Sequence, residues 1–402
     1  MNIARILQHN VIGKLLNHGL VFLVNILVVR LTGAAASGHY FNELYVLNII
    51  VFIFSAGLDY SAVALIARDP SLVKKIHRHL GLMVIFFILV MVAWAFISLP
   101  NMNGYFRQPA WAIVLFSTGN LLLVFYQGVL SALKKFNLQN ILLGVTNLLF
   151  LSYLYWTYLE RHEAPVEDIA VLYAVLFLIQ GTLMFLFSLP ASGAQVAHLP
   201  RAAFYRSGLL IMASSLLYFI FLRADNFFVQ KYSTGVTLGN YVQCGKIGQY
   251  FLYFSSIISS TLLPFLSAES AITGYRDWYK LMRPYVFLII LAAVLIALFG
   301  HAAFPWLFGS EFKEMNGLMI ILLPGYVCLG MLTLINAVYI SRGNIRYLFW
   351  GDLGGLVLLL LLDLWLVPDG GAYTAAAISS SCYILLFLYL LAGLKRQFNL
   401  IS

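Results

Sequence analysis

The sequence predicts an all-α integral membrane protein of twelve transmembrane helices, in two pseudo-symmetric six-helix bundles around a central cleft. Three observations predict it. The 402 residues are 62% hydrophobic and only 10% charged, where a soluble domain carries about 25% charged residues. The apolar residues fall into blocks long enough to cross a bilayer, without the residue-by-residue alternation of a membrane β-barrel. Positive charge alternates from loop to loop, and a sequence pattern recurs at half the chain length.

The blocks read in order as follows. Span 1 (10–31) carries Lys14, His18 and Asn25 at i, i+4 and i+11, on one helical face. Lys14 is open to two readings, a cleft cation or a side chain that snorkels to the headgroups. Arg30 and Lys231 read as interfacial anchors. Span 2 (39–65) has Glu43, open to two readings as an intramembrane polar residue or a solvated span start, and Asp59 after "SAGL", where it can cap a helix break. Spans 3 (80–99), 4 (109–131), 5 (139–159) and 6 (168–190) complete a first bundle, 1–200.

Span 7 (207–230) places Arg223 and Asp225 inside an apolar run. On a continuous helix two residues in i, i+2 register point roughly 200° apart, so each needs a partner elsewhere, and Lys246 is the nearest candidate for Asp225. Span 8 (240–266) carries a stripe of Gln243, Lys246 and Gln249. Spans 9 (284–304), 10 (316–340), 11 (347–367) and 12 (371–394) complete a second bundle, 201–402. Asp352 and Asp363 in span 11 read as hydrogen-bonding to helix ends.

One set of loops, with the terminal segments, holds 17 of the 24 Lys and Arg; the opposite set holds five and the acidic stretch "ERHEAPVED". The positive-inside rule then puts both termini in the cytoplasm. The net charge of +9 is a topology signal and does not point to nucleic acid. The N-terminus lacks a small-residue cleavage site after a short apolar core and reads as retained. Cys244, Cys328 and Cys382 are far apart inside apolar blocks, which suggests neither disulfides nor a metal cluster.

The repeat aligns "RLTGAAASGHYFN" (30–42) with "KYSTGVTLGNYVQ" (231–243) at an offset of 201 residues, so that Gly38 falls on Gly239 and Tyr40 on Tyr241. A second pair, "KFNLQNILLG" and "RGNIRYLFWG", matches span 5 to span 11. Six spans per half insert with the same orientation, as in transporters with parallel repeats. Intramembrane charge is costly and marks function. Here it concentrates in the repeat-related spans 1–2 and 7–8, as a central cavity requires. Motifs for nucleophilic, metal-hydrolytic or nucleotide chemistry are missing from the sequence, so the chain is expected not to be an enzyme.

"RLTGAAASGHYF", "SAGLDYSAVALIARD", "LRADNFFVQKYSTGVTLGNYVQCGKIGQYF" and "LWLVPDGGAYTAAAISSSCYILL" resemble the polysaccharide-transporter branch, with its Wzx-type O-antigen flippases, of the multidrug/oligosaccharidyl-lipid/polysaccharide (MOP) flippase superfamily. The resemblance implies a V-shaped, MATE-like fold. It implies export of undecaprenyl-diphosphate-linked O-antigen, capsule or exopolysaccharide units across a bacterial inner membrane by ion-coupled alternating access. Lys14, Arg223 and Lys246 match its cleft cations, and Arg223–Asp225 matches its "RxD"; Asp363 stands where an Asn is common.

The expected substrate-binding set is Lys14, His18, Asn25, Arg223, Gln243, Lys246 and Gln249. Asp59 and Asp225 are expected to take up H⁺ or Na⁺, with no cofactor and no metal centre. Expected partners are the lipid-linked oligosaccharide, membrane lipid and the polysaccharide polymerase machinery, with the protein acting as a monomer. Two alternatives remain, a MATE-like antiporter of small organic molecules and a membrane-embedded polymerase or glycosyltransferase. The positive balance of the cleft residues argues against the first, and the absence of acids in "TGAAASGH" against the second.

Overall fold

The computed structural model describes residues 3–97, 106, 108–189, 201–267, 275–341 and 344–399. Among them every regular element is helical: α1 (Ile3–Ser55), α2 (Leu58–Arg68), α3 (Val73–Ile97), α4 (Ala110–Ala132), α5 (Phe136–Arg161), α6 (Val166–Phe187), α7 (Arg201–Phe221), α8 (Asp225–Tyr232), α9 (Gly235–Ser267), α10 (Tyr275–Phe308), α11 (Met315–Ser341) and α12 (Ile345–Asn399). Nine helical stretches among the described residues are long and apolar enough to cross a membrane. The chain is a multi-pass membrane protein.

Two of the nine stretches, of 44 and 49 residues, are about twice as long as a bilayer needs. Each is interrupted by a glycine outside helical geometry, Gly33 (φ 77°) in α1 and Gly371 (φ 61°) in α12. A β-carbon disfavours such positive φ values. The breaks separate expected spans 1 and 2, and 11 and 12. Expected span 8 lies on α9. Span 2 breaks again at Ala56 (φ 47°) and Gly57 (φ 63°), where "SAGL" predicted it.

The chain divides into two compact units. The first comprises Met1–Thr32 and Glu43–Leu216, the second Gly33–Asn42 and Leu217–Ser402. The loop at the expected 200/201 boundary, residues 190–200, lies outside the described residues.

In the first unit α4 is the central helix, with Ile113, Leu121, Phe125 and Tyr126 fully buried. It meets α6 through Gly119 and Gly181, where a β-carbon on either residue would strike the other helix's backbone. Small residues allow such close approach between membrane helices. Buried amides are paired: Gln180 Nε2 donates to Thr146 Oγ1 and Asn147 Oδ1, both at 2.9 Å. Glu43 is buried, which rules out the solvated of its two readings. It accepts from Gln108 Nε2 at 2.9 Å, the pairing that makes a buried carboxylate tolerable.

In the second unit α11 takes the central place, with Leu318, Leu329, Leu332 and Val338 buried between α9 and α12. It approaches α12 at Gly325, whose N–H donates to Ser380 Oγ at 3.1 Å. The fourth helix of each half, α4 and α11, is thus the most buried of the candidate spans, as an internal repeat requires. The repeat also appears as a contact within this unit. A β-carbon on Gly38 would lie 2.6 Å from Gly239 N, and one on Gly239 would strike the Ala34 carbonyl. The two glycines that coincide at the 201-residue offset pack against each other.

Candidate functional site

The apolar run around Arg223 is not one continuous helix. After α7 the chain tightens at residues 222–224, closed by i→i+3 bonds from Arg223 N to Ile220 O (2.9 Å), Asn226 N to Arg223 O (3.2 Å) and Phe227 N to Ala224 O (3.2 Å). The break is partial, since Ala224 N also donates to Ile220 O at 2.8 Å in the α-helical i→i+4 pattern. Both side chains are buried, at 4% exposure.

Asp225 opens α8, where the helix dipole favours an anion. Its Oδ1 accepts from Asn226 N at 2.9 Å. Its Oδ2 accepts from Tyr241 Oη at 2.5 Å and from Ser379 Oγ at 2.6 Å. The expected partner, Lys246, is not among these donors. The carboxylate is satisfied instead by one hydroxyl from α9 and one from α12. Tyr241 belongs to the repeated Gly-x-Tyr pattern and Ser379 to the "SSS" run of α12. Neither was expected at the site, and the recurrence of the Gly-x-Tyr pair was the only sequence signal for Tyr241.

α9 approaches this region with a small-residue face. A β-carbon at Gly245 would come within 3.3 Å of Arg223 Nη1, and one at Gly248 would strike the ring of Tyr326. Gly245 therefore makes room for the guanidinium, one residue before Lys246. Lys246 is half-buried, and its Nζ lies over the face of Phe41, an arrangement that attracts a cation to the ring quadrupole. Arg223 and Lys246 are close enough to act on each other electrostatically. Gln243 is fully buried on the same helix, and Gln249 is half-buried a turn and a half further on.

Asp363 adds a second carboxyl to this interior. It is fully buried, neither oxygen has a hydrogen-bond partner among the described residues, and it lies within electrostatic range of Asp225. It therefore does not hydrogen-bond a helix end as its sequence position suggested. Among the described residues no three His, Cys, Asp or Glu converge on a common point.

The remaining expected residues lie in the first unit. Lys14 is exposed, His18 half-buried and Asn25 buried on α1. The neighbouring Asn17 Nδ2 donates to the Asn140 carbonyl of α5 at 3.1 Å. Asp59 is half-buried in the first turn of α2, after the break at Gly57. A β-carbon at Gly57 would strike the Gly208 carbonyl. The structure thus gathers Arg223, Asp225, Gln243, Lys246 and Gln249 in the second unit, and places Lys14, His18, Asn25 and Asp59 in the first.

No protein-family model and no curated protein matches the chain. Solved structures do. The lipid II flippase MurJ, in an inward closed conformation, is 12% identical with a TM-score of 0.71, over 96% of this chain and 88% of that one. An inward-facing multidrug resistance MATE family transporter of the MOP superfamily is 13% identical, TM-score 0.70, over 94% and 95%. The Vibrio cholerae MATE transporter VcmN, in its bent form, is 15% identical, TM-score 0.61, over 98% and 96%. At this level of identity the likeness speaks for the fold, and the chain has the fold of the MOP-superfamily transporters.

Proposed function

We propose that the protein is a flippase for a lipid-linked oligosaccharide carried on a polyprenyl diphosphate, working by alternating access. One observation carries this reading: the buried Arg223 guanidinium lies against Gly245 of α9, the residue before the half-buried Lys246, on the helix that also carries Gln243 and Gln249. Two neighbouring cations in a low-dielectric interior repel each other. A diphosphate placed between them relieves that repulsion and gains charge-assisted hydrogen bonds, bidentate where it meets the guanidinium. The amides of Gln243 and Gln249 offer donors and acceptors to sugar hydroxyls. In the first unit, Lys14, His18 and Asn25 of α1 are proposed as a separate set of substrate contacts.

The coupling step is assigned to carboxyls. Asp225 and Asp363 share one interior, and H⁺ or Na⁺ uptake there removes the cost of holding two anions in it. Asp59, at the Gly57 break, is the corresponding group of the first unit. The proposed setting is a bacterial cytoplasmic membrane, with both termini in the cytoplasm by the charge of the loops. The substrate then originates from sugar transferases acting on the inner face, and its product feeds a polysaccharide polymerase.

A second reading, a cation-coupled antiporter of small organic molecules, is favoured by the similarity to MATE transporters at nearly the same TM-score. The basic pair is what sets it second. The test is deletion of the gene in its host. The flippase reading expects a carrier-linked oligosaccharide to accumulate on the inner leaflet and surface glycan to be lost. Unchanged lipid-linked pools combined with increased sensitivity to organic cations would overturn it in favour of the antiporter.

A further inference from the structure

Away from the buried charges, α10, α11 and α12 enclose a groove of about 250 Å³. Met282, Val286, Leu334, Ile335 and Phe387 form much of a mainly apolar lining, which also includes the exposed Arg283 and the buried Trp278. The groove lies at one end of the unit. Arg283 is less than three turns into α10, Ile335 lies six residues before the end of α11, and Arg342, Lys395 and Arg396 follow these segments in the sequence. This is the basic-loop side, where Lys280 and Tyr279 are also exposed.

We propose that this groove binds an anionic phospholipid of the leaflet on the basic-loop side. One acyl chain lies in the groove and the phosphate sits on Arg283. Three features point to this occupant. The lining matches a hydrocarbon chain and offers almost no polar partner to a sugar or an organic cation. Arg283 is the only cation among its described lining residues and is exposed, and basic pockets between membrane helices on the cytoplasmic side select anionic headgroups. Trp278 and Tyr279 flank it, as amphipathic rings do at headgroup depth. The site is distinct from the Arg223–Lys246 region and does not depend on the transport reading.

The probe is phosphatidylglycerol brominated on its acyl chains, compared with phosphatidylcholine carrying the same chains. Both are titrated into nanodiscs holding the full-length protein. The Trp278 signal is the difference in tryptophan fluorescence between the wild type and Trp278→Phe. The proposal expects half-quenching of Trp278 at about fivefold lower mole fraction of phosphatidylglycerol, as one favourable basic contact provides. Arg283→Gln, an exposed position whose change leaves the fold intact, should erase the preference. Leu334→Phe, which fills the groove, should reduce quenching by both lipids. Equal quenching by the two lipids in the wild type, or a preference that survives Arg283→Gln, overturns it. Displacement of phosphatidylglycerol by a polyprenyl diphosphate at much lower concentration would also overturn it, assigning the groove to the carrier.

Discussion

The Asp225 network gives the most quantitative prediction. Tyr241→Phe removes one oxygen and leaves the ring in place. That oxygen donates to Asp225 Oδ2 at 2.5 Å, and Tyr241, Asp225 and Ser379 are all within 4% of full burial. Water has little access to replace the lost donor. A hydrogen bond to an ionised group contributes about 1.5–3 kcal/mol, so Tyr241→Phe should cost about 2 kcal/mol and Ser379→Ala a similar amount. The assay is reversible unfolding in mixed detergent–SDS micelles, followed by circular dichroism, on the wild type, Tyr241→Phe, Asp225→Asn and the double variant. The cycle should return a coupling energy of about 1.5 kcal/mol, above the ~0.6 kcal/mol average for interhelical hydrogen bonds in a membrane protein. A coupling energy at or below that average would mean that the hydroxyl does not hold an ionised Asp225, and would refute the reasoning.

Other predictions rest on separate contacts. Gly38→Leu should prevent the close approach to Gly239 N and lower the yield of folded protein, read as the monodisperse fraction on size exclusion, whereas Gly354→Leu, with open space around its Cα, should not. Gly57→Ala combines a positive φ of 63° with a clash on the Gly208 carbonyl and should cost over ~1 kcal/mol in the same unfolding assay. Gln108→Ala takes the amide donor away from the buried Glu43 and should cost about 1–3 kcal/mol, while Glu43→Gln with Gln108 intact should cost less. Asp363→Leu replaces a buried carboxyl that lacks hydrogen-bond partners among the described residues with an apolar side chain; it should raise the melting temperature while abolishing any stabilisation by Na⁺ or by lowered pH.

The membrane architecture was legible from the sequence because hydropathy and loop charge are read residue by residue and need no tertiary information. The repeat was legible through Gly38 and Gly239, since only glycine allows the backbone approach found there. The break after "SAGL" was legible because glycine tolerates positive φ. The partners of Asp225 were not. Lys246 was the nearest charged candidate on the next span, whereas the donors that Asp225 meets are the neutral hydroxyls of Tyr241 and Ser379. Ser379 lies 154 residues away in sequence, and no local pattern distinguishes it from its serine neighbours. The burial of Glu43 was not legible for the same reason: it depends on Gln108, 65 residues distant.

The central claim is that Arg223 and Lys246 serve an anionic lipid-linked substrate. It is tested most directly in proteoliposomes containing a polyprenyl-diphosphate-linked oligosaccharide, by measuring its movement between leaflets as accessibility to an external glycan-cleaving enzyme. Wild-type protein should move the lipid, and Arg223→Ala and Lys246→Ala, each correctly inserted, should slow it about tenfold or more, the loss expected from one charge-assisted contact. Wild-type rates in both variants would contradict the account.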